Sequence, residues 1–304
     1  MKIKIGATIG LAVILGIALM SSYSTSSEVS KVNEVKESSF NDNYRIAMPP
    51  IPDTVRFCGE LVPQLDTEVK ERLEREVLSN TYWQSNTVLM LKRSGKYFPL
   101  IERILKEEGL PEDFKYLAVA ESGLIQAVSS AGAKGIWQFM NSTAQSYGLT
   151  VNSEVDERYH VEKSTRAACA YLKKAKEDLG TWTLAAAAYN RGLAGIKRDV
   201  RNQQVTSYYD LYLNTETSRY VFRIIAFKLL MSSPEKYGFV MKTKDYYKPE
   251  SVILIQVDTT ITDLADFAIK NGTNYKTVKV LNPWLRDDHL TVRAGSEYLI
   301  KVPR

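Results

Sequence analysis

Glu121 is the residue of this chain whose position most needs a chemical explanation. It follows Phe114 by seven residues, Leu117 by four and Ala118 by three. That spacing puts all four on one face of a helix. A carboxylate on an apolar face is costly unless it is paired or kept neutral. Pro111-Glu112-Asp113 predicts where the helix starts, with Pro in the first turn and acids at the positive end of the dipole. Gly123 predicts its stop, so Glu121 falls in the last turn, where the dipole also disfavours negative charge. Burial and dipole together predict a raised pKa and a protonated carboxyl near neutral pH, the state a general acid needs. A core glutamate paired with Arg or Lys has the same spacing, so helix position alone leaves both readings open.

The segment Ala120 to Met140 reads AESGLIQAVSSAGAKGIWQFM. Gly123, Gly132 and Gly135 break any long helix and permit a close-packed turn. Trp137 and Gln138 offer an aromatic face and an amide, a pair suited to sugar rings. A core tryptophan and a surface glutamine are the alternative.

The elements that must hold these residues are helical. From about 62 to 232 the apolar period is that of a helix, so the chain is expected to be mainly α. Val62, Leu65, Val69, Leu73 and Val77 form one stripe. Pro99 to Lys106 predicts a helix stopped by Gly109. Ser164 is placed to cap a helix running to Gly180, with Ala168, Tyr171, Leu172, Ala175 and Leu179 inward. Thr181 is placed to cap an Ala-rich helix ending near Asn190 and Gly192, and another spans about Thr215 to Met231. After Lys242 the period changes. Val252–Val257 reads as a strand, Ile261–Ala268 and Tyr275–Leu281 as helices, and Tyr298–Val302 as a closing strand.

The rest of the chain bounds the chemistry. Its 304 residues carry 40 Lys+Arg against 35 Asp+Glu, a charge of +5 that is too mild for a nucleic-acid binder. Two histidines and two cysteines argue against a His-based metal cluster or a disulfide framework, and no metal or cofactor is expected. His160 and His289 read as surface or local hydrogen-bonding groups. Lys2 and Lys4 precede an uncharged, mostly apolar run from Ile5 to Met20, short against the roughly 20 residues of a bilayer span. Residues 1–24 therefore read as a secretory signal, or else as a retained N-terminal anchor. Residues 25–55, rich in Ser, Asn, Glu and Lys, read as a flexible tether. The protein is expected to be exported to the periplasm or cell envelope, with membrane association through the N-terminus if the anchor stays. Export permits a disulfide between Cys58 and Cys169, and two separate small core thiols are the plainer reading.

Five blocks in order carry a specific resemblance. They are Glu121-Ser122 with Ser129, Gly132-Ala133-Lys134-Gly135 and Trp137-Gln138; Val155-Asp156-Glu157-Arg158; Ser164 through Leu172; Ala187-Ala188-Tyr189-Asn190-Arg191-Gly192; and Glu216-Thr217-Ser218-Arg219-Tyr220-Val221. Together they resemble the soluble-lytic-transglycosylase family, of goose-type-lysozyme-like α-helical fold, and within it the membrane-bound lytic murein transglycosylase D group. The chain departs from the pattern in three loops. The Glu121–Ser129 spacing is one residue short and lacks an Asn-Pro, His160-Val161 replaces Asp-Pro, and Asn214 replaces a Pro. The Val252-to-Val302 order, with Asn282-Pro283 and Ala294-Gly295, resembles a LysM module, although Asp258-Thr259-Thr260-Ile261 replaces its usual Gly-Asp-Thr-Leu opening. The resemblance implies a transglycosylase domain over 56–240, with its core at 95–232, and a LysM-like domain over 245–304 that either binds glycan or only packs on the first domain.

The resemblance also implies an activity. Such enzymes cleave the β-1,4 bond between N-acetylmuramic acid and N-acetylglucosamine in peptidoglycan without water, leaving 1,6-anhydro-muramic ends. Glu121 would act alone as acid and then base, consistent with the lack of a second carboxylate in its signature. By family position Ser129 and Gln138 would bind N-acetyl and hydroxyl groups, and Asn190 would line the cleft. Tyr189 would support the cationic intermediate and position Glu121. Glu216 would hold the tyrosine or the substrate, with Tyr220 in support. A bonded Tyr189–Glu216 pair joining two helices is the bland alternative. Ser122 would orient Glu121 or cap its helix. The implied partner is the peptidoglycan glycan strand, with a monomer as the expected state. A water-using lysozyme and a non-catalytic wall-binding scaffold are the competing functions.

Overall fold

The computed structural model describes residues 46–304. The leader over 1–24, and the tether up to residue 45, lie outside the described residues. Among the described residues no helix is long and apolar enough to cross a membrane.

The chain is mainly helical, as its periodicity predicts. A two-residue hairpin, β1 (Arg56–Phe57) and β2 (Glu60–Leu61), opens the body and buries Phe57. Helix α1 (Thr67–Tyr82) begins at Asp66, whose carboxylate accepts from the Val69 amide. Val69, Leu73 and Val77 are buried as expected, but Leu65 is fully exposed because it precedes that cap and never enters the stripe. Helix α2 (Gln84–Glu107) starts 15 residues before the expected Pro99. Pro99 lies inside it, and the helix persists because Met90, Leu91, Ile101, Ile104 and Leu105 all bury on one side. Here tertiary packing outweighs the missing donor of a proline.

A 3-10 turn at Glu112–Phe114 leads into α3 (Lys115–Ser122), the helix of Glu121. After the short α4 (Asn141–Ser146) comes α5 (Val161–Leu179). Its cap is His160, not Ser164: the His160 Nδ1 accepts from the Lys163 amide, while Ser164 is buried within the first turn. Helix α6 (Trp182–Arg191) is capped by Thr181 as the sequence suggests. Helix α7 (Leu193–Gln203) was not legible as an element, since only Ile196 of it is buried. Helix α8 (Thr215–Ser232) runs through the core, burying Tyr220, Val221, Phe222, Ile224 and Ile225. Its main partners are α1 and α3. Cys58 and Cys169 are free thiols, the second one buried.

The tail module pairs β3 (Val252–Val257) antiparallel with β4 (Tyr298–Pro303), around α9 (Leu264–Lys270) and α10 (Tyr275–Leu281). The buried amide of Asn282 cross-links it, donating to the Val278 and Lys301 carbonyls and accepting from the Lys301 amide, each at 2.8 Å. The small core of the module contains Val155 and Tyr159 from the preceding body. The Val155–Leu285 bridge and the Asp156 amide on the Trp284 carbonyl (2.9 Å) continue that contact. Tyr246-Tyr247 packs the linker onto α2: the Tyr247 amide donates to the Lys92 carbonyl at 2.8 Å.

Candidate active site

The site is assembled at the end of α3. Gly123 closes that helix in the left-handed conformation, φ 59°, which glycine adopts without strain. Glu121 is therefore presented in the last turn, at the floor of a cleft of about 660 Å³. The Ser122 hydroxyl does not orient it. It bonds back to the Ala118 carbonyl and across to the Ile136 carbonyl (2.8 Å), tying the helix end to the returning loop.

That loop, residues 123–139, is held from several sides. The Ser129 hydroxyl accepts from the Ala133 amide at 3.0 Å. Lys134 bridges to Val128 and Phe139. The Gln138 side chain donates to the carbonyls of Gly135 (2.7 Å) and Ala127 (3.2 Å). Its backbone has φ 51°, a left-handed value costly for a residue with a Cβ, and such strain gathers where a side chain must be aimed. Gly135 has φ 82°, and a Cβ there would lie 2.0 Å from the Arg158 carbonyl oxygen. Below the loop, buried Arg158 grips Asp156 through two nitrogens at 2.8 and 2.7 Å and reaches the Gly132 and Phe139 carbonyls. Burial alone would raise Asp156, but the Arg158 hydrogen bonds and charge outweigh it and hold the carboxylate below its ordinary range. The Asp-Glu-Arg block thus braces the loop that carries Gln138.

Trp137 is not a sugar platform. It is fully buried, and its indole N–H donates to Thr165 Oγ1 at 2.8 Å. Its carbonyl accepts from the Tyr189 hydroxyl, also at 2.8 Å. Tyr189 sits edge-on to Phe139 and Tyr171. The expected alternative, a bonded Tyr189–Glu216 pair, is not formed: exposed Glu216 accepts from Asn190 Nδ2 at 2.9 Å, and Thr217 Oγ1 donates to Asn190 Oδ1 at 2.8 Å. Asn190 thereby joins the end of α6 to the first turn of α8.

Tyr220 of α8 donates its hydroxyl to Glu121 Oε1. The Glu121 pKa is pushed up to about 7, foremost by burial. The Tyr220 bond opposes the rise, the nearby Glu216 charge adds to it, and Arg223 opposes it. The carboxyl is accordingly poised to be either acid or base near neutrality. The structure gathers Glu121, Ser129 and Gln138 on one cleft, with Tyr189 and Tyr220 behind and beside the acid. Asn190 and Glu216 stand apart from that cleft lining, at the α6–α8 junction.

Another part of the cleft lining was missed by sequence reasoning. It comes from α1, the α1–α2 junction and α8, with Asn80, Trp83, Arg219 and Arg223. Trp83 is 61% exposed at the break between the two helices. The sequence signals for this part of the lining were a large aromatic residue between two helical patterns and the place of Arg219 in the Glu216–Val221 block.

Residues 98–211 match the family described as Transglycosylase SLT domain, and residues 254–304 match the Soluble lytic transglycosylase C-terminal LysM-like domain. Among curated proteins the chain is similar to membrane-bound lytic murein transglycosylase D of Escherichia coli strain K12. The two are 26% identical over 268 residues, which covers 85% of this chain and 57% of the relative. The protein of the same name from Escherichia coli O6:H1 strain CFT073 gives the same figures. The chain thus spans little more than half the length of these relatives. With the acid at the end of α3 and the braced glycine loop beside it, residues 98–211 are a transglycosylase SLT domain, followed at 254–304 by a LysM-like C-terminal domain.

Proposed function

We propose that the chain is a peptidoglycan lytic transglycosylase of the cell envelope, cleaving between N-acetylmuramic acid and N-acetylglucosamine to leave 1,6-anhydro ends. The observation that carries this reading is Glu121: a carboxyl at the floor of a cleft, with its pKa pushed up to about 7 and hydrogen-bonded by Tyr220. Protonated Glu121 gives its proton to the glycosidic oxygen as the bond to the anomeric carbon breaks. The departing N-acetylglucosamine leaves as an alcohol. Glu121, now a carboxylate, takes the proton of the muramic C6 hydroxyl as that oxygen closes on the same anomeric carbon. The acid is restored and no water is consumed. The nucleophile belongs to the substrate, so its proximity replaces a second enzymic carboxylate.

On this reading Ser129 and Gln138, which line the cleft, hold substrate polar groups through the Ser129 hydroxyl proton and the Gln138 side-chain oxygen. Tyr189 and Tyr220 remain protonated, since burial holds both phenols well above their ordinary pKa, and they flank the developing positive charge with neutral oxygen atoms. The leader and tether at 1–55 and the similarity to membrane-bound relatives support export and attachment near the wall. Mass spectrometry of digested peptidoglycan tests the reading. Anhydro-muramic ends are expected, whereas reducing ends would show a hydrolase, and an unchanged wall that still retains the protein would show a scaffold.

A further inference from the structure

We infer that Arg219 and Arg223 form a carboxylate-reading subsite in the cleft that holds Glu121, so that the enzyme selects anionic muramyl strands over neutral glycan. The inference rests on the transglycosylase reading and names what this part of the cleft lining recognises. Glu76, 1% exposed, is approached by three guanidinium groups: Arg219 Nε at 2.6 Å, Arg75 at 3.4 Å and Arg223 Nε at 3.7 Å. One carboxylate neutralises one of them, and the excess positive charge faces the cleft. Arg219 and Arg223 are one turn apart on α8, each about one-third exposed, and both line the cleft with Glu121. Both turn Nε toward Glu76. Among the described residues no acceptor takes the terminal nitrogens of either, which leaves two guanidinium ends directed at solvent in a cleft. If neutralising Glu76 were their whole purpose, Arg219 alone would suffice. Two preoriented, undischarged forks suit carboxylates, which accept paired N–H donors.

Peptidoglycan supplies carboxylates from two sources: the stem peptide, and the lactyl group of muramic acid once the peptide is removed. The test uses the full chain carrying Glu121→Gln, so that ligands bind without turnover. Calorimetry compares equal-length oligosaccharides with stem peptides, without them but with free lactyl carboxylates, and neutral chito-oligosaccharides. At least one anionic ligand is expected to bind about tenfold tighter than the neutral one, with the gap shrinking as salt rises. Whichever anionic ligand gains identifies the source. Adding Arg219→Gln should close most of the gap, and Arg219→Lys should keep part of it. Glu76 retains Arg75 and Arg223 in these variants, and thermal melts confirm folding. Equal binding of all three ligands, or a gap unmoved by Arg219→Gln, overturns the inference. Absence of anhydro ends from the unsubstituted enzyme would instead overturn the transglycosylase reading, whatever the binding order.

Discussion

The raised pKa of the Glu121 carboxyl costs stability, and on the proposed mechanism it is also what makes the group an acid, two effects that pH separates. Its pKa lies near 7 in the fold, above an ordinary 4.5. The folded state therefore holds the proton more tightly than the unfolded chain, and stability falls as pH rises from about 4.5 to 7. At pH 8 the full cost is at most about 3 kcal/mol. Glu121→Gln is expected to abolish turnover, by about a thousandfold, yet to raise the melting temperature, with a gain that grows between pH 5 and 8. Melts across that range check it, and a gain independent of pH would contradict the buried-acid account. Tyr220→Phe removes the hydrogen bond that holds Glu121 down. The alkaline limb of kcat/KM should then move to higher pH while the maximal rate falls, as a pH–rate profile of the variant would show. Glu121 itself was legible because its neighbours at three, four and seven residues are apolar. Its hydroxyl partner was legible only through resemblance, since Tyr220 lies 99 residues away and no local pattern encodes that contact. Trp137 stayed open between two readings for a related reason. An aromatic residue beside a glutamine suits both a sugar and a core, and only packing against Thr165 and Tyr189 decides between them.

At the scale of elements, helix stops were easier to read than helix starts. Gly123 and Gly180 end their helices with φ 59° and 84°, as glycines after apolar stripes predict. The start of α2 was missed because Pro99 outweighed the preceding residues in a local reading, whereas their burial comes from helices distant in sequence. The braced loop was visible only as spaced glycines. Its support is Arg158, which no periodicity relates to Gly132 or Phe139. Two substitutions separate bracing from chemistry. Gly135→Ala places a Cβ against the Arg158 carbonyl in a left-handed backbone, so a loss of several kcal/mol is expected. Arg158→Ala leaves buried Asp156 with the Lys134 ammonium at 3.5 Å as its remaining cationic partner, so a cost below the roughly 3–5 kcal/mol of a fully stranded buried charge is expected. Denaturant titration checks both. If either variant kept full stability, the loop would not depend on this brace.

Across the whole molecule, the tail module is packed into the body and not merely tethered to it. Its strands and helices were predictable because a six-residue, mostly apolar strand and helices capped by Asp263 and Asn274 are local signals, but docking requires surfaces that meet only in the fold. The latch is Glu154. Its backbone carbonyl accepts from the Arg286 amide at 2.7 Å, and its carboxylate accepts from the Thr291 amide (2.7 Å) and hydroxyl (3.1 Å). The His289 Nε2 lies 3.6 Å from that carboxylate, while Asp287 and Asp288 flank the ring. The Thr291 backbone bond, foremost, holds Glu154 below its ordinary pKa of 4.5, so its contribution is present above that value and lost as pH falls through the lowered one. Asp288, foremost, raises His289 above 6.5, so its contribution is full below 6.5 and lost as pH rises through the raised value. The latch is thus tightest between 4.5 and 6.5, where Glu154 is ionised and His289 is protonated. Glu154→Ala should lower the melting temperature most in that window, less at pH 8, and least below pH 4. It should also expose the linker at 248–251 to limited proteolysis, while Gly95, against which Tyr246 and Tyr247 pack, still holds the upstream contact. A Glu154→Ala chain as protease-resistant as the parent at pH 5.5 would mean that the shared Val155–Tyr159–Trp284 core alone keeps the module in place.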